Sequence, residues 1–380
     1  MFVKREVINS EDHKMIVLRT KLNNVFGFDD FEINFSYPKR ILNSLIEEEH
    51  LGERPNFRYK KAVILMGSNA TGKTSLGKAL LRIFSYANTE NKTLLLEMVP
   101  ADSTGSFSVD FVNEGFVLHR LSAEINAAAG TVDVHYASAE IEEKDSYEKC
   151  ADRLTDQTAS IGKKPLKNVV GELNFRFAYP EIEPTLKIKG MDKNILLKTL
   201  KAVIGTLDPT LTDVTVAKDL KDSFIIRRKG IEIIIQEGKL LNREVLSSGT
   251  AEGIDIAVFL ASMISGSESF YYCDEHFSYI QSDIEKRIFG IMLDNLGVNE
   301  QMIFTTHNTD MLDLNLPKHT YAFLRKKEED GEYKTTVMYA SDILKRNTDS
   351  IRCALQNDVF SSLPDESLLD TIERGLSDEK

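Results

Sequence analysis

Lys61-Ala62-Val63-Ile64-Leu65-Met66-Gly67-Ser68-Asn69-Ala70-Thr71-Gly72-Lys73-Thr74-Ser75 is an apolar run that breaks into G-x-x-x-x-G-K-T. The following Leu76-Gly77-Lys78-Ala79-Leu80-Leu81 has helical spacing. The run reads as a buried strand, and the glycines let the backbone curl so that successive N–H groups point inward at phosphate oxygens. Lys73 supplies a point charge for the outer phosphates, and the Thr74 hydroxyl supplies a ligand for Mg²⁺. A helix expected from about Thr71 presents its positive end to the same anion. Strand, loop and helix form a phosphate loop in the context its chemistry requires. Gly67, Ser68, Asn69, Ala70, Thr71, Gly72, Lys73, Thr74 and Ser75 are therefore the expected nucleotide-binding residues.

With 380 residues, 42% of them hydrophobic, the chain can bury a sizeable core and form more than one structural unit. No apolar run is long enough to cross a membrane, so no membrane partner is expected. The opening MFVKREVINSEDHK lacks the apolar centre of a leader. Cys150, Cys273 and Cys353 are too few and too scattered for a disulfide framework or a zinc site. A reducing, cytoplasmic location is expected. The net charge of −12 argues against a protein that coats nucleic acid with its whole surface. A local contact stays open in 160–205, which holds Lys163, Lys164, Lys167, Arg176, Lys187, Lys189, Lys193, Lys198 and Lys201. The plainer reading of that stretch is a solvated charged face.

Along the chain, Met15–Leu22 and Phe31–Phe35 alternate as strands around a turn at Gly27–Asp30. Residues 36–58 read as a polar connection. Phe107–Val112 and Phe116–Arg120 read as a hairpin, and Thr131–Glu142 alternates again. From about Asp145 the character becomes polar and helical, with apolar Leu196, Leu197, Leu200, Val203 and Ile204 on one face of a helix. No sustained heptads predict a long coiled coil. Phe224–Arg228 and Ile231–Gln236 form a hairpin across Lys229-Gly230. The expected division is 1–144 for the first lobe of a nucleotide-binding head, 145–222 for a mainly helical insert, and 223–380 for the second lobe.

Three further motifs follow the phosphate loop. Leu246-Ser247-Ser248-Gly249-Thr250 opens a helix, with Ser247 and Ser248 as N-cap types and Gly249 allowing close backbone approach. It reads either as a plain cap or as a second phosphate-binding helix end. Phe270-Tyr271-Tyr272-Cys273-Asp274-Glu275 is an apolar strand ending in two carboxylates. Asp274 is suited to Mg²⁺ and Glu275 to polarising an attacking water, although such a pair also ends any strand that enters a loop. Met302-Ile303-Phe304-Thr305-Thr306-His307 is a buried strand ending in a histidine, at the strand end where ligands gather in open α/β sheets.

Each of these three is ordinary alone, but their order is that of ATP-binding-cassette ATPases. The chain resembles the soluble Rad50/SMC/RecF-like branch. More closely it resembles the AAA15/AAA21 group related to overcoming-lysogenization-defect and abortive-infection proteins. The carriers are DDFEINF, GSNATGKT, LSSGTAEG, YYCDEH, IFTTHNTDMLD and the tail YAFLRKKEEDGEYKTTVMYASDI, which together span about 1–120 and 224–350. The resemblance implies an α/β, ABC-type P-loop ATPase head with a mixed sheet, an N-terminal antiparallel β-subdomain and a mainly helical insert. It implies ATP and Mg²⁺ as cofactors and a homodimer or higher homo-oligomer that closes on ATP. Lys73, Glu275 and His307 would be catalytic, and Thr74 and Asp274 would hold the metal. Ser247 and Gly249 would reach the γ-phosphate from the other subunit, and Ser248 would also belong to the nucleotide-binding set. The chain departs from the transporter pattern in Thr250, in the absence of glutamine from 100–120, and in the loop HFSYIQSD after Glu275.

Two functions compete. One is a regulatory ATPase of a prokaryotic antiphage, abortive-infection type system that controls a separate effector, a nuclease or toxin. The stretch after His307 is short for a toprim nuclease domain, so the effector is expected on another polypeptide. The other is a RecF/Rad50-like DNA-repair ATPase whose 160–205 stretch lies on the duplex and whose affinity falls steeply with salt. A transporter subunit fits the insert poorly, and a non-hydrolysing scaffold fits an intact Glu275 poorly. The first function is the expectation.

Overall fold

Every residue of Ala62–Met66 is buried, as a strand covered on both faces requires. In the computed structural model, residues 15–41, 44–179, 186–217, 220–329, 331–346 and 348–362 are described. Residues 1–14 and 363–380 lie outside the described residues.

The central sheet has six strands, in the order Phe175–Ala178, Phe270–Asp274, Gln301–Thr305, Ala62–Met66, Tyr321–Glu329 and Glu332–Tyr339. The first five are parallel to their neighbours and the last is antiparallel. Side chains alternate between two cores because successive strand residues point to opposite faces. Ile64, Tyr271, Cys273, Phe304 and Phe323 enter one core. Val63, Leu65, Tyr272, Ile303 and Leu324 enter the other.

The second core is closed by the helix Lys73–Thr89, through Leu76, Leu80, Ile83 and Phe84, and by the N-terminal antiparallel sheet. That sheet runs Phe31–Asn34, Ile16–Asn23, Thr104–Val112, Val117–Asn126, Thr131–Glu140 and Thr155–Asp156. Gln301 fastens it to the central sheet. Its side chain accepts from the Val17 N–H at 2.9 Å and donates to the Val17 and Lys60 carbonyls at 3.1 and 3.0 Å. Three buried backbone groups are satisfied by one amide at the seam.

The first core is covered by the helices Ser248–Ser265, Lys193–Leu207 and Ser282–Asp294. Gly253 lets the first two approach, since a Cβ there would collide with Leu207. Residues 145–222 carry the helices Tyr147–Ala151, Thr158–Ile161, Lys167–Val170 and Lys193–Leu207, and also the edge strand Phe175–Ala178.

One expectation is corrected and another extended. The polar connection 36–58 contains paired strands His50–Leu51 and Arg54–Arg58, whose apolar anchor Phe57 is fully buried in a small third core. The hairpin Phe224–Arg228/Ile231–Gln236 is the centre of a four-stranded sheet completed by Leu211–Val216 and Lys239–Leu241. Those outer strands are short and partly exposed, so their pattern is weak.

Candidate nucleotide site at the ends of three parallel strands

Leu65, Thr305 and Asp274 stand side by side across three neighbouring parallel strands. The phosphate loop, the His307 loop and the Asp274-Glu275 pair therefore leave the sheet at one edge. It is the carboxyl edge, where open α/β sheets bind ligands.

Glycine is required at both ends of the phosphate loop. A Cβ at Gly67 would stand 2.6 Å from the Leu324 carbonyl oxygen. Gly72 has φ 104°, and a Cβ there would stand 2.7 Å from the Phe28 ring. Thr71 closes the loop by donating to the Ser68 carbonyl at 2.8 Å. The helix begins at Lys73, later than the Thr71 expected, because Gly72 is its left-handed N-cap. No side chain caps its first turn, so the leading N–H groups stay available to an anion.

Lys73 Nζ donates to the Gly67 and Ser68 carbonyls at 2.8 and 3.1 Å and stands 3.2 Å from Glu275 Oε1. His307 Nε2 is 2.9 Å from the same oxygen. Burial pushes the Lys73 ammonium down, opposed by Glu275. The contact with His307 holds the Glu275 carboxyl below the usual carboxylate range, against its burial and with help from Lys73. Glu275 has φ 45°, uncommon for a residue with a side chain. Its N–H is fixed on Thr305, 3.1 Å from the carbonyl and 3.0 Å from the hydroxyl.

Asp274 is fully buried. Its Oδ2 accepts from Thr74 Oγ1 at 2.6 Å and its Oδ1 from Thr305 Oγ1 at 2.7 Å. Burial pushes its carboxyl up, countered by both hydroxyls. Among the described residues no group of three or more His, Cys, Asp or Glu could hold a metal. The adjoining Thr74 and Asp274 oxygens fit Mg²⁺, which takes few protein ligands and completes its shell with water and phosphate oxygens. The curled loop, Lys73 and the uncapped helix fit a triphosphate.

Ser247 caps the helix Ser248–Ser265, accepting from the Thr250 N–H at 3.1 Å. Ser248 is the first helical residue rather than a second cap. Gly249 lies under the Tyr279 carbonyl, where a Cβ would stand at 3.0 Å. Glu252 accepts the Tyr279 N–H at 3.1 Å. Among the described residues, these contacts tie the Ser247–Gly249 segment to the loop after Glu275 and not to the phosphate loop.

Four residues that sequence reasoning passed over belong to the site. Thr305 holds both Asp274 and Glu275; its only signal is its place beside Asp274 on the next parallel strand. The Tyr272 hydroxyl donates to the Lys73 carbonyl at 2.6 Å. Phe28 lies under Gly72, and Glu285 anchors both residues that flank His307. In the basic stretch, Arg176 is buried and pairs with Glu268 at 2.8 Å. Lys193 pairs with Asp222 at 3.1 Å and Lys201 with Asp213 at 3.0 Å. No helix of the described residues is long and apolar enough to cross a membrane.

No family model matches the chain, and no curated protein matches it. Solved structures do. An SMC head bound to the C-terminal winged-helix domain of ScpA is 11% identical, with a TM-score of 0.50 over 86% of this chain and 99% of that one. An SMC head with an extended coiled coil, bound to the C-terminal domain of ScpA and derived from Pyrococcus furiosus, is 10% identical, with a TM-score of 0.49 over 87% and 98%. The recombination mediator RecF with ATPrS is 10% identical, with a TM-score of 0.44 over 85% and 99%. At such identities the likeness is one of fold: the chain has the ABC-type head fold that the SMC head bound to the ScpA winged helix displays.

Proposed function

We propose that this chain is an ATP-hydrolysing head that works as a homodimer or higher homo-oligomer and governs a separate effector protein in a prokaryotic antiphage system. One observation carries the nucleotide chemistry. Lys73, Thr74, Asp274, Glu275 and His307 gather at one sheet edge, Thr74 bonded to Asp274, and Lys73 and His307 both on Glu275.

Residues 67–75 and the N-terminus of Lys73–Thr89 take the triphosphate, and Thr74 and Asp274 hold Mg²⁺. Glu275, its acidity raised by His307, stays ionised at neutral pH and accepts a proton from the attacking water. Lys73 has two claimants. Drawn to phosphate, it releases the Glu275 oxygen it now neutralises. His307, 2.9 Å from that carboxylate, would supply a hydrogen bond to a bound γ-phosphate.

Ser247 and Gly249 make their contacts away from Lys73, which supports a site completed by a second copy. An effector on another chain draws support from the SMC head, which is bound to a separate ScpA domain. The defence role rests on the resemblance of the tail and of LSSGTAEG.

The test is the molar mass of Glu275→Gln with ATP and Mg²⁺, by light scattering, followed by recovery of bound material from its own host. Doubling of the mass on ATP, with a protein partner that resists nuclease, supports the reading. An unchanged mass overturns the dimer. Bound DNA without a protein partner replaces the effector reading with a repair clamp.

A further inference from the structure

His307 stands between two anchored neighbours. Thr306 Oγ1 donates to Glu285 Oε1 at 2.8 Å, and Asn308 Nδ2 donates to Glu285 Oε2 at 2.6 Å. Both oxygens of one carboxylate therefore fix the residues immediately before and after the histidine. Glu285 lies in the first turn of Ser282–Asp294 and is itself buried, with 3% of its surface exposed. A carboxylate is costly to bury and is kept here with its hydrogen bonds directed at one loop.

The bonding around it fixes the orientation of Asn308. Thr306 Oγ1 also accepts the Asn308 N–H at 3.0 Å. Asn308 Oδ1 accepts the Asp310 N–H at 2.9 Å, so its amide cannot flip without losing that bond. The same amide donates to Ser282 Oγ at 2.9 Å. Each donor aimed at Glu285 needs an acceptor, and an ionised carboxylate accepts from both with charge-assisted bonds.

We propose that Glu285 is a positioning residue for hydrolysis: it holds His307 against the Glu275 carboxylate by gripping Thr306 and Asn308. This rests on the hydrolytic reading of Glu275 and His307 and names the part of the second helix that serves it. The side chain of Glu285 bonds to Thr306 and Asn308 and not to Glu275, so it acts through His307. Burial pushes its carboxyl up and both hydrogen bonds oppose that, so the grip weakens as the medium becomes acidic.

A Glu285→Gln side chain keeps the shape but brings an N–H₂ where a donor already points. It can satisfy Asn308 with its oxygen only by turning its own amide on Thr306. The Asn308 bond is kept on the amide oxygen, and the Thr306 hydroxyl, able to accept as well as donate, meets the amide N–H, so both anchors become neutral bonds without the charge. Glu285→Ala loses both.

The experiment is steady-state phosphate release from Mg·ATP by the full chain, with nucleotide affinity read separately from a fluorescent ATP analogue. Wild type, Glu275→Gln, Glu285→Gln, Glu285→Ala, His307→Ala and the double variant Glu285→Ala/His307→Ala are compared. Displacing a group by about an ångström costs on the order of a hundredfold in rate. Glu285→Ala is expected to lower kcat by about that factor while nucleotide affinity stays within about twofold. Glu285→Gln falls between it and wild type. In the His307→Ala background, Glu285→Ala is expected to lower kcat no further, because its effect passes through the histidine.

Equal losses from Glu285→Ala in both backgrounds would overturn the proposal and leave a structural role. Wild-type turnover in Glu285→Ala beside an inactive Glu275→Gln would overturn the positioning role alone. Wild-type turnover in Glu275→Gln would overturn the hydrolytic reading and the positioning role with it. If Glu285→Ala does not fold, Glu285→Leu, which fills the space and accepts from neither donor, decides the same question, alone and with His307→Ala.

Discussion

Thr74 Oγ1 donates a 2.6 Å hydrogen bond to Asp274 Oδ2, joining the first turn of the phosphate-loop helix to the end of a strand far along the chain. Neither residue gains from this contact in helix propensity or apolar burial. A threonine hydroxyl and a fully buried carboxylate brought face to face would, on the proposed reading, give two oxygens to a hard divalent cation. Asp274→Asn keeps the shape and the Thr74 contact and removes the charge. Its nucleotide affinity in Mg²⁺ is expected to fall by about tenfold or more, the worth of a charge-assisted contact, with little change when Mg²⁺ is chelated. Titration with a fluorescent nucleotide in both conditions checks this. An equal loss in both would assign Asp274 a structural role instead.

Gly77 lies one turn into the same helix, and a Cβ there would stand 2.6 Å from the Tyr272 ring. That ring cannot yield, since it is fully buried and its hydroxyl is bound to the Lys73 carbonyl. Alanine gains about 1 kcal/mol in helix propensity, against an overpacking cost of about 1–3 kcal/mol. Gly77→Ala is therefore expected to lower stability in urea, with a lower midpoint and an unchanged slope. A midpoint equal to or above wild type would show that Tyr272 gives way.

His119 is buried, stacked at 5.3 Å on Phe111, with its Nδ1 2.8 Å from the Tyr136 hydroxyl. Burial holds its ring at about 4, below the ordinary 6.5, and His276 is held at about 4 for the same reason. Between these values the unfolded chain binds more protons than the folded one. Stability is complete above 6.5 and is lost as the pH falls from there toward 4. Each ring adds a slope of at most about 1.4 kcal/mol per pH unit. Urea midpoints measured at about pH 7 and about pH 5 are expected to fall, and to fall less in His119→Gln. The same fall in both proteins would contradict a neutral His119.

The legible part of the site is contiguous in the chain. Residues 67–74 lie in one stretch, and their chemistry is written in their order. Asp274, Glu275 and His307 were visible because each ends an apolar run. Thr305 was not, because its role comes from standing opposite Asp274 in a parallel pair, and register between distant strands leaves no local mark. Glu285 lies on an amphipathic helix, where a glutamate ordinarily faces solvent. Only the packing of that helix beside Thr306 and Asn308 turns it inward. Phe57 likewise reads as part of a polar connection until the third core closes over it. Five strands of the central sheet follow from apolar runs between glycine and charge, whereas its edge strand Phe175–Ala178 is too short for periodicity to announce it.

Phosphate release from Mg·ATP by wild type and Glu275→Gln, at equal nucleotide occupancy, tests the central claim most directly. Glutamine keeps the size of the side chain and its contact with His307 but cannot take a proton. Turnover lower by about a hundredfold or more, with nucleotide still bound, is the predicted result. Equal turnover in the two proteins would contradict it and remove Glu275 from the chemistry.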